Sequence, residues 1–131
     1  MSASLRRIMY IEDDPDIQAI ARLALEEVGG FEVAICGSGG EALRRLRDFR
    51  PDLILLDVML PGMDGLSTLT LLRQNMGDAL APVVFITARL QAPEMAAYRR
   101  AGALGIIAKP FDPVTLPEQL ARIWEGRHDR H

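Results

Sequence analysis

Cysteine is almost missing from this 131-residue chain. The single Cys36 excludes an intrachain disulfide, so a reducing, cytoplasmic setting is expected. Long apolar runs are missing as well. None approaches the roughly 20 residues that span a bilayer, so no membrane role is expected. Met1 to Arg7 holds no apolar stretch of the kind a secretory signal needs. Histidine occurs only at the very end, as His128 and His131, which excludes a phosphohistidine in the folded body and offers no anchored ligand pair. An excess of positive charge is absent: the formal net charge of −3 argues against nucleic acid as a partner held by bulk charge. Lysine is the scarcest cation, since of the 15 lysine and arginine side chains only Lys109 is a lysine.

What the chain does have is the balance of one folded domain, with 49% apolar and 25% charged residues over a length that can bury a proper core. Its apolar residues gather in short continuous runs, among them Ile8–Ile11, Leu53–Leu56, Val83–Ile86 and Ile106–Ala108. Runs of this length suit strands of a parallel sheet covered on both faces. Each run ends on chemistry: Glu12-Asp13, Asp57, Thr87 and Lys109. Ligand sites of such sheets lie outside the carboxyl ends of the strands, so three carboxylates, a hydroxyl and an ammonium should converge.

Strand and helix alternate five times. A strand at 7–11 is followed by Asp14-Pro15, an N-cap with proline at the first helical position. The helix it opens carries Ile17, Ile20, Ala21, Ala24, Leu25 and Val28 at helical spacing and stops at Gly29-Gly30. A second strand covers 32–36, and Ser38-Gly39-Gly40-Glu41 reads as a capping box for a helix with Ala42, Leu43, Leu46 and Phe49 on one face. After the third strand comes a turn-rich loop, Pro61-Gly62-Met63-Asp64-Gly65, and a helix over about 66–75 with Leu66, Leu69, Leu72 and Met76 inward. The helix over about 93–101 has Pro93 but no good N-cap side chain, and is expected to be the least secure. Asp112-Pro113 and Thr115-Leu116-Pro117-Glu118 are two successive helix-start signals, so the last helix should follow one preliminary turn, with Leu116, Leu120, Ile123 and Trp124 inward. The expected fold is α/β, a flavodoxin-like three-layer arrangement on a five-stranded parallel sheet of order 2-1-3-4-5. Residues 127–131 read as a frayed tail.

A cluster of carboxylates invites a hard divalent cation. Mg²⁺ takes oxygen ligands, keeps several waters, and needs only one or two carboxylates plus a phosphate oxygen. Asp13 and Asp57 are the expected direct ligands, Glu12 acts through water, and the backbone carbonyl of Met59 completes the protein ligands. Asp14 is the member read as a simple helix cap. Asp57 ends a strand of branched apolar residues, where a purely structural carboxylate is unexpected. A carboxylate nucleophile can accept a phosphoryl group as an acyl phosphate, with cations and donors aimed at its oxygens. Lys109 supplies a charge and Thr87 a hydroxyl donor, and a cis Lys109-Pro110 bond would aim the lysine.

The motifs Ile11-Glu12-Asp13-Asp14, Leu56-Asp57, Met59 through Gly65, Ile86-Thr87-Ala88 and Lys109-Pro110-Phe111 together resemble the response-regulator receiver domain, the CheY-like family of two-component signalling. The resemblance runs from about Arg7 to Gly126, so 1–126 is expected to be the receiver domain. It implies that Asp57 is phosphorylated by a histidine kinase or phosphotransfer protein, that Mg²⁺ is required, and that phosphate is lost slowly by hydrolysis. It further implies self-phosphorylation and autodephosphorylation chemistry only, not an enzyme acting on other substrates. In this family phosphorylation draws the hydroxyl at Thr87 inward, and an aromatic residue on strand 5 rotates behind it. The surface of helix 4, strand 5 and helix 5 is remodelled and binds a downstream protein. Ile106 stands at that aromatic position, and isoleucine cannot make the same rotation, so the readout is expected to be weaker or built differently. Met59 and Arg89 lie two residues beyond Asp57 and Thr87 and are expected to flank the phosphoryl group and set its lifetime.

A stand-alone receiver acting through protein contacts, monomeric or dimerising on phosphorylation, is expected. A diffusible effector, a phosphorelay intermediate and a receiver cut from a longer protein stay open. A haloacid-dehalogenase-type phosphohydrolase would need an acid where Met59 stands, and a flavin carrier would not place Glu12-Asp13-Asp14 beside phosphate. Gly37-Ser38-Gly39-Gly40 lacks the lysine of a phosphate loop and reads as a turn with a cap. Arg44, Arg45, Arg47 and Arg50 read as a solvated basic face. Met63, Leu90, Met95, Tyr98 and Ile106 form either an apolar partner patch beside the site or, for most of them, core.

Overall fold

Five strands pair in parallel in the order β2-β1-β3-β4-β5: β1 (Arg7–Ile11), β2 (Glu32–Cys36), β3 (Leu53–Asp57), β4 (Val83–Thr87) and β5 (Gly105–Ala108). This computed structural model describes residues 4–60 and 62–129, so Pro61 of the turn-rich loop and Arg130 and His131 of the tail lie outside the described residues. The helices are α1 (Pro15–Arg22), α2 (Gly39–Phe49), α3 (Gly65–Met76), α4 (Ala92–Arg100) and α5 (Leu116–Glu125). Every residue of β3 and β4 is buried, which is why these strands read as unbroken apolar runs.

The sheet is covered on both faces. Met9, Ile11, Ile54, Leu56 and Phe85 pack under α2, α3 and α4. Ile8, Tyr10, Leu55, Val84 and Ile86 pack under α1 and α5. Alternation along each strand sorts the two sets, so a one-residue slip in pairing would exchange them. Asp52 ties the amino end of the sheet, its carboxylate accepting from the backbone N–H of Arg6 at 3.0 Å and of Arg7 at 2.9 Å.

Several details depart from the sequence reading. Beyond Arg22 the first helix continues as a π-helix over Leu23–Val28. Its wider i→i+5 turns rotate Val28 out of the apolar stripe, leaving it 56% exposed. Ile20 sits at the margin of that stripe and is 46% exposed, while Ala21, Ala24 and Leu25 are buried. Helix α5 follows one preliminary turn and begins at Leu116, as expected; what differs is how that start is held. The Asp112 carbonyl accepts from Leu116 N, its carboxylate accepts from Val114 N, and the Thr115 hydroxyl caps nothing. The tail does not fray at Arg127: Gly126–Asp129 form a 3₁₀ turn. There Arg127 donates to the Trp124 carbonyl and lies 3.7 Å over its ring, which holds the turn on the helix end.

Other expectations hold. Ser38 caps α2 by accepting from Glu41 N at 3.1 Å, and the Glu41 carboxylate in turn accepts from Gly37 N at 2.8 Å. Helix α4 has no side-chain cap, and Tyr98 is its only buried residue. The arginines of α2 are partly spent locally, Arg45 on the Ile35 carbonyl and Glu41.

Candidate functional site

Parallel register brings the four expected positions together. Asp57 pairs with Ile86 and Thr87 with Ala108 across neighbouring strands. The ladder runs on past the strand ends through Val58 N to Ile86 O at 3.2 Å and Lys109 N to Thr87 O at 2.9 Å. Glu12 is held likewise, its N–H donating to Cys36 O at 2.9 Å. The site side chains therefore stand on rigid backbone.

Lys109 is the hub. Its Nζ donates to Asp57 Oδ2 at 2.8 Å and to Glu12 Oε1 at 2.9 Å. The Lys109–Pro110 peptide is cis, as the sequence reading anticipates. Carboxylate oxygens of Glu12, Asp13 and Asp57 all lie within 4.8 Å of one another, and this set could hold a metal ion. Glu12 and Asp57 are each 1% exposed, whereas Asp13 faces solvent. Asp14 is the cap of α1, accepting from Asp16 N at 2.9 Å, and lies outside the cluster.

Burial and hydrogen bonding divide the two buried carboxylates. Burial pushes Asp57 up, the nearby Glu12 charge adds to this, and the bonds from Lys109 and Met59 N oppose it without cancelling it. Burial also pushes Glu12 up, but Lys109, the Asp14 N–H and the Tyr10 hydroxyl outweigh it and hold Glu12 below its usual value. Lys109 is raised: burial lowers it, and its bonds to the two carboxylates prevail. Both Glu12 oxygens are engaged, Oε1 by Lys109 and by the Tyr10 hydroxyl at 3.0 Å, Oε2 by Asp14 N at 3.0 Å. Asp57 Oδ1 accepts from Met59 N at 2.9 Å, so both of its oxygens are oriented too.

Thr87 is fully buried, and its Oγ1 accepts from Arg89 N at 2.9 Å. The Tyr98 hydroxyl lies 3.5 Å from that Oγ1 and donates to the Arg89 carbonyl at 3.2 Å. Met59 is 51% exposed and Arg89 is also exposed, while the backbone N–H of each donates to a site residue, Met59 to Asp57 and Arg89 to Thr87. Ile106 is half-buried and packs into the core under α4. The apolar patch divides: Met63 and Leu90 are exposed, while Tyr98 is core.

A family model described as the response regulator receiver domain matches residues 8–121. The chain belongs to this family. The receiver is 36% identical over 116 residues to the DNA-binding response regulator MtrA of Mycolicibacterium smegmatis, covering 88% of this chain and 49% of that protein. It is 38% identical over 117 residues to the transcriptional regulatory protein PrrA of Mycobacterium bovis, covering 89% of this chain and 48% of that one. It thus spans about half the length of the curated relatives it matches. Among solved structures, the chemotaxis protein CheY4 of Vibrio cholerae superposes with a TM-score of 0.82 at 27% identity, over 92% of this chain and 99% of that one. A CheY-like receiver from Methanospirillum hungatei gives 0.80 at 26% identity, over 98% and 100%. Membership makes this the receiver domain of a two-component response regulator.

The sequence reading missed three supports of the site: Tyr10, Gln18 and Tyr98. Tyr10 was findable, since it lies two residues before Glu12 on the same side of β1. Gln18 Nε2 donates to the Glu12 carbonyl at 2.5 Å from one turn into α1, a contact set by helix placement. Tyr98 depends on how α4 meets β4, which no local pattern encodes.

Proposed function

We propose that Asp57 is the phosphoacceptor of a signalling switch. The observation that carries this reading is a nearly fully buried strand-end carboxylate bonded to Lys109 Nζ at 2.8 Å, with Glu12 and Asp13 beside it. A carboxylate oxygen of Asp57 forms a bond to phosphorus. The bond from phosphorus to the donor, a histidine ring nitrogen or the acyl oxygen of a small phosphodonor, breaks with its electron pair leaving on the donor. Lys109 pairs with the charge that accumulates on the phosphoryl oxygens, and the Thr87 hydroxyl donates to one of them. Met59 N holds the acceptor carboxylate in place.

The acid cluster fits Mg²⁺: Asp13, Asp57 and the Met59 carbonyl would hold it directly and Glu12 would act through water. Mg²⁺ there supplies positive charge that offsets both carboxylates and incoming phosphoryl oxygens. The engagement of both Glu12 oxygens supports its indirect role. Met59 and Arg89 flank the phosphoryl group; a thioether and a guanidinium offer no base for water, which favours a long-lived phosphorylated form.

The receiver acts in the cytoplasm by binding proteins, through α4, β5 and α5, as a monomer or a phosphorylation-dependent dimer. It is a phosphoacceptor that catalyses its own phosphorylation and dephosphorylation rather than an enzyme with a separate substrate. Its net charge of −3 supports a receiver that does not itself contact nucleic acid.

Intact mass after incubation with acetyl phosphate and Mg²⁺ tests the reading. One added phosphoryl group is expected, absent in Asp57→Asn and in EDTA. Equal mass gain in Asp57→Asn would move the acceptor elsewhere. No gain with either acetyl phosphate or a panel of histidine kinases, together with no Mg²⁺ binding by NMR titration, would make the chain a phosphorylation-independent binding module.

A further inference from the structure

We infer that Tyr98, on α4, is the aromatic side chain that carries the state of the phosphoryl site to the partner-binding surface, a task that the isoleucine at position 106 of β5 cannot perform. This rests on the phosphoacceptor reading above.

Three observations converge. First, the Tyr98 hydroxyl joins a closed network with Thr87 and the loop after β4. Arg89 N donates to Thr87 Oγ1 at 2.9 Å, Tyr98 OH donates to Arg89 O at 3.2 Å, and Tyr98 OH lies 3.5 Å from Thr87 Oγ1. Either hydroxyl can donate across the Thr87–Tyr98 contact, and in the arrangement where the phenol proton goes to the Arg89 carbonyl the donor is Thr87. A hydroxyl has one proton. When Thr87 donates it to a phosphoryl oxygen, the contact with Tyr98 is lost, and the Arg89 carbonyl two residues away shifts with the loop.

Second, Tyr98 is the only buried residue of α4, at 2% exposure, and its ring packs against Phe85 of β4 with centroids 5.4 Å apart. The helix has no side-chain N-cap to hold it independently. Tyr98 is thus the deepest anchor of α4, with Met95 packing beside the same core, and a change in its seat bears on the helix. Third, Ile106 belongs to the same core cluster as Tyr98, on the same face of the sheet. On that face the residue at 106 of β5 is aliphatic, and the aromatic hydroxyl that reaches Thr87 comes from α4 instead.

Phosphorylation thus removes one of two polar partners from a buried phenol and loosens α4. The test compares wild type with Tyr98→Phe, which keeps the ring and removes only the hydroxyl. Both are treated with acetyl phosphate and Mg²⁺, the added phosphoryl group is counted by intact mass, and amide exchange over residues 92–100 is followed by mass spectrometry. In wild type, exchange in α4 is expected to speed up by at least about threefold on phosphorylation. In Tyr98→Phe the same phosphoryl uptake should leave α4 exchange nearly unchanged. A parallel measurement uses wild type labelled with 3-fluorotyrosine, whose two tyrosines give two fluorine signals. The one missing in Tyr98→Phe should move on phosphorylation. Equal responses of α4 in both proteins, or a stationary Tyr98 signal, would overturn the inference while leaving the phosphoacceptor reading intact. Failure of Tyr98→Phe alone to take up a phosphoryl group would also overturn it, by placing Tyr98 in the chemistry itself. Failure of wild type to gain mass with acetyl phosphate and with the panel of histidine kinases, together with no Mg²⁺ binding, would overturn both readings.

Discussion

Replacing Gly65 with alanine tests how closely the carboxyl end of β3 is held against α3. Gly65 is the first residue of that helix, and its N–H donates to Val58 O at 2.7 Å. A Cβ at this position would stand 2.7 Å from Val58 Cα and 2.9 Å from Asp57 O, both backbone atoms, where ordinary contact begins at 3.4 Å. Neither neighbour is a flexible side chain, so helix or strand end must retreat by roughly 0.7 Å. Overpacking of this kind costs about 1–3 kcal/mol, and the better helix propensity of alanine returns at most about 1. A net loss of about 1–2 kcal/mol is expected. The displaced backbone is that of the proposed phosphoacceptor, so the rate of phosphorylation should fall by about 10- to 100-fold.

Gly126→Ala is the matched control. Its Cβ would meet nothing within 4 Å and its φ of −73° suits any residue, so a gain of about 0.4–1 kcal/mol is expected, with an unchanged phosphorylation rate. Urea unfolding read by fluorescence of the single tryptophan, Trp124, gives the stabilities, and the time course of mass gain gives the rates. If Gly65→Ala unfolds at the same or higher urea as wild type, or is phosphorylated at the wild-type rate, the close-approach reasoning fails.

Other outcomes can be checked on the same preparations. Lys109→Ala leaves two buried carboxylates without their shared cation, so it should unfold at lower temperature, yet bind Mg²⁺ more tightly. Its melting temperature should therefore rise more on adding Mg²⁺ than that of wild type; an equal rise would refute this. Asp52→Ala removes two hydrogen bonds at the start of β1 and should cost about 1–2 kcal/mol in urea unfolding, with phosphorylation unaffected. Cys36 is fully buried and burial pushes its thiol up, so a thiol reagent at pH 8 should label it only on unfolding; rapid labelling of native protein would contradict its placement. Met59→Asn opens the mouth of the site to water and should speed loss of the phosphoryl group several-fold, as followed by intact mass; an unchanged lifetime would remove Met59 from that role.

The strands were the most legible part of the chain, because a strand buried on both faces must be apolar at every position. Leu53–Leu56 and Val83–Ile86 could belong nowhere else once helical stretches flanked them. Site residues were legible for the converse reason: Asp57 and Thr87 are polar groups where burial forbids polar groups without a partner. The illegible features depend on the relative placement of elements. Val28 fits an α-helical stripe, and only the π turns that seat Leu25 on the sheet turn it outward. Thr115 has the side chain of a cap, but the preceding turn hands that task to Asp112. Tyr98 looks like one of several apolar residues near the site, and its meaning appears only when its hydroxyl meets Thr87.

These differences divide the molecule into a part that cannot move and a part that can. Glu12, Asp57, Thr87 and Lys109 sit at the ends of a continuous parallel ladder whose opening approaches global unfolding, of order 5–15 kcal/mol. A phosphoryl group that changes a few hydrogen bonds cannot rearrange such a frame, and the chemistry needs it fixed. Helix α4 is the opposite case: one buried residue, no side-chain cap, and a hydroxyl bond at 3.5 Å to the site. A gap of a few kcal/mol is the range in which a ligand can shift a population, and α4 is the element whose attachments are small enough to fall within it. The identity of the coupling residue is then less constrained than that of the acceptor. Any aromatic that shares a proton with Thr87 and anchors α4 satisfies the requirement, so the position can pass from β5 to α4 without disturbing Asp57.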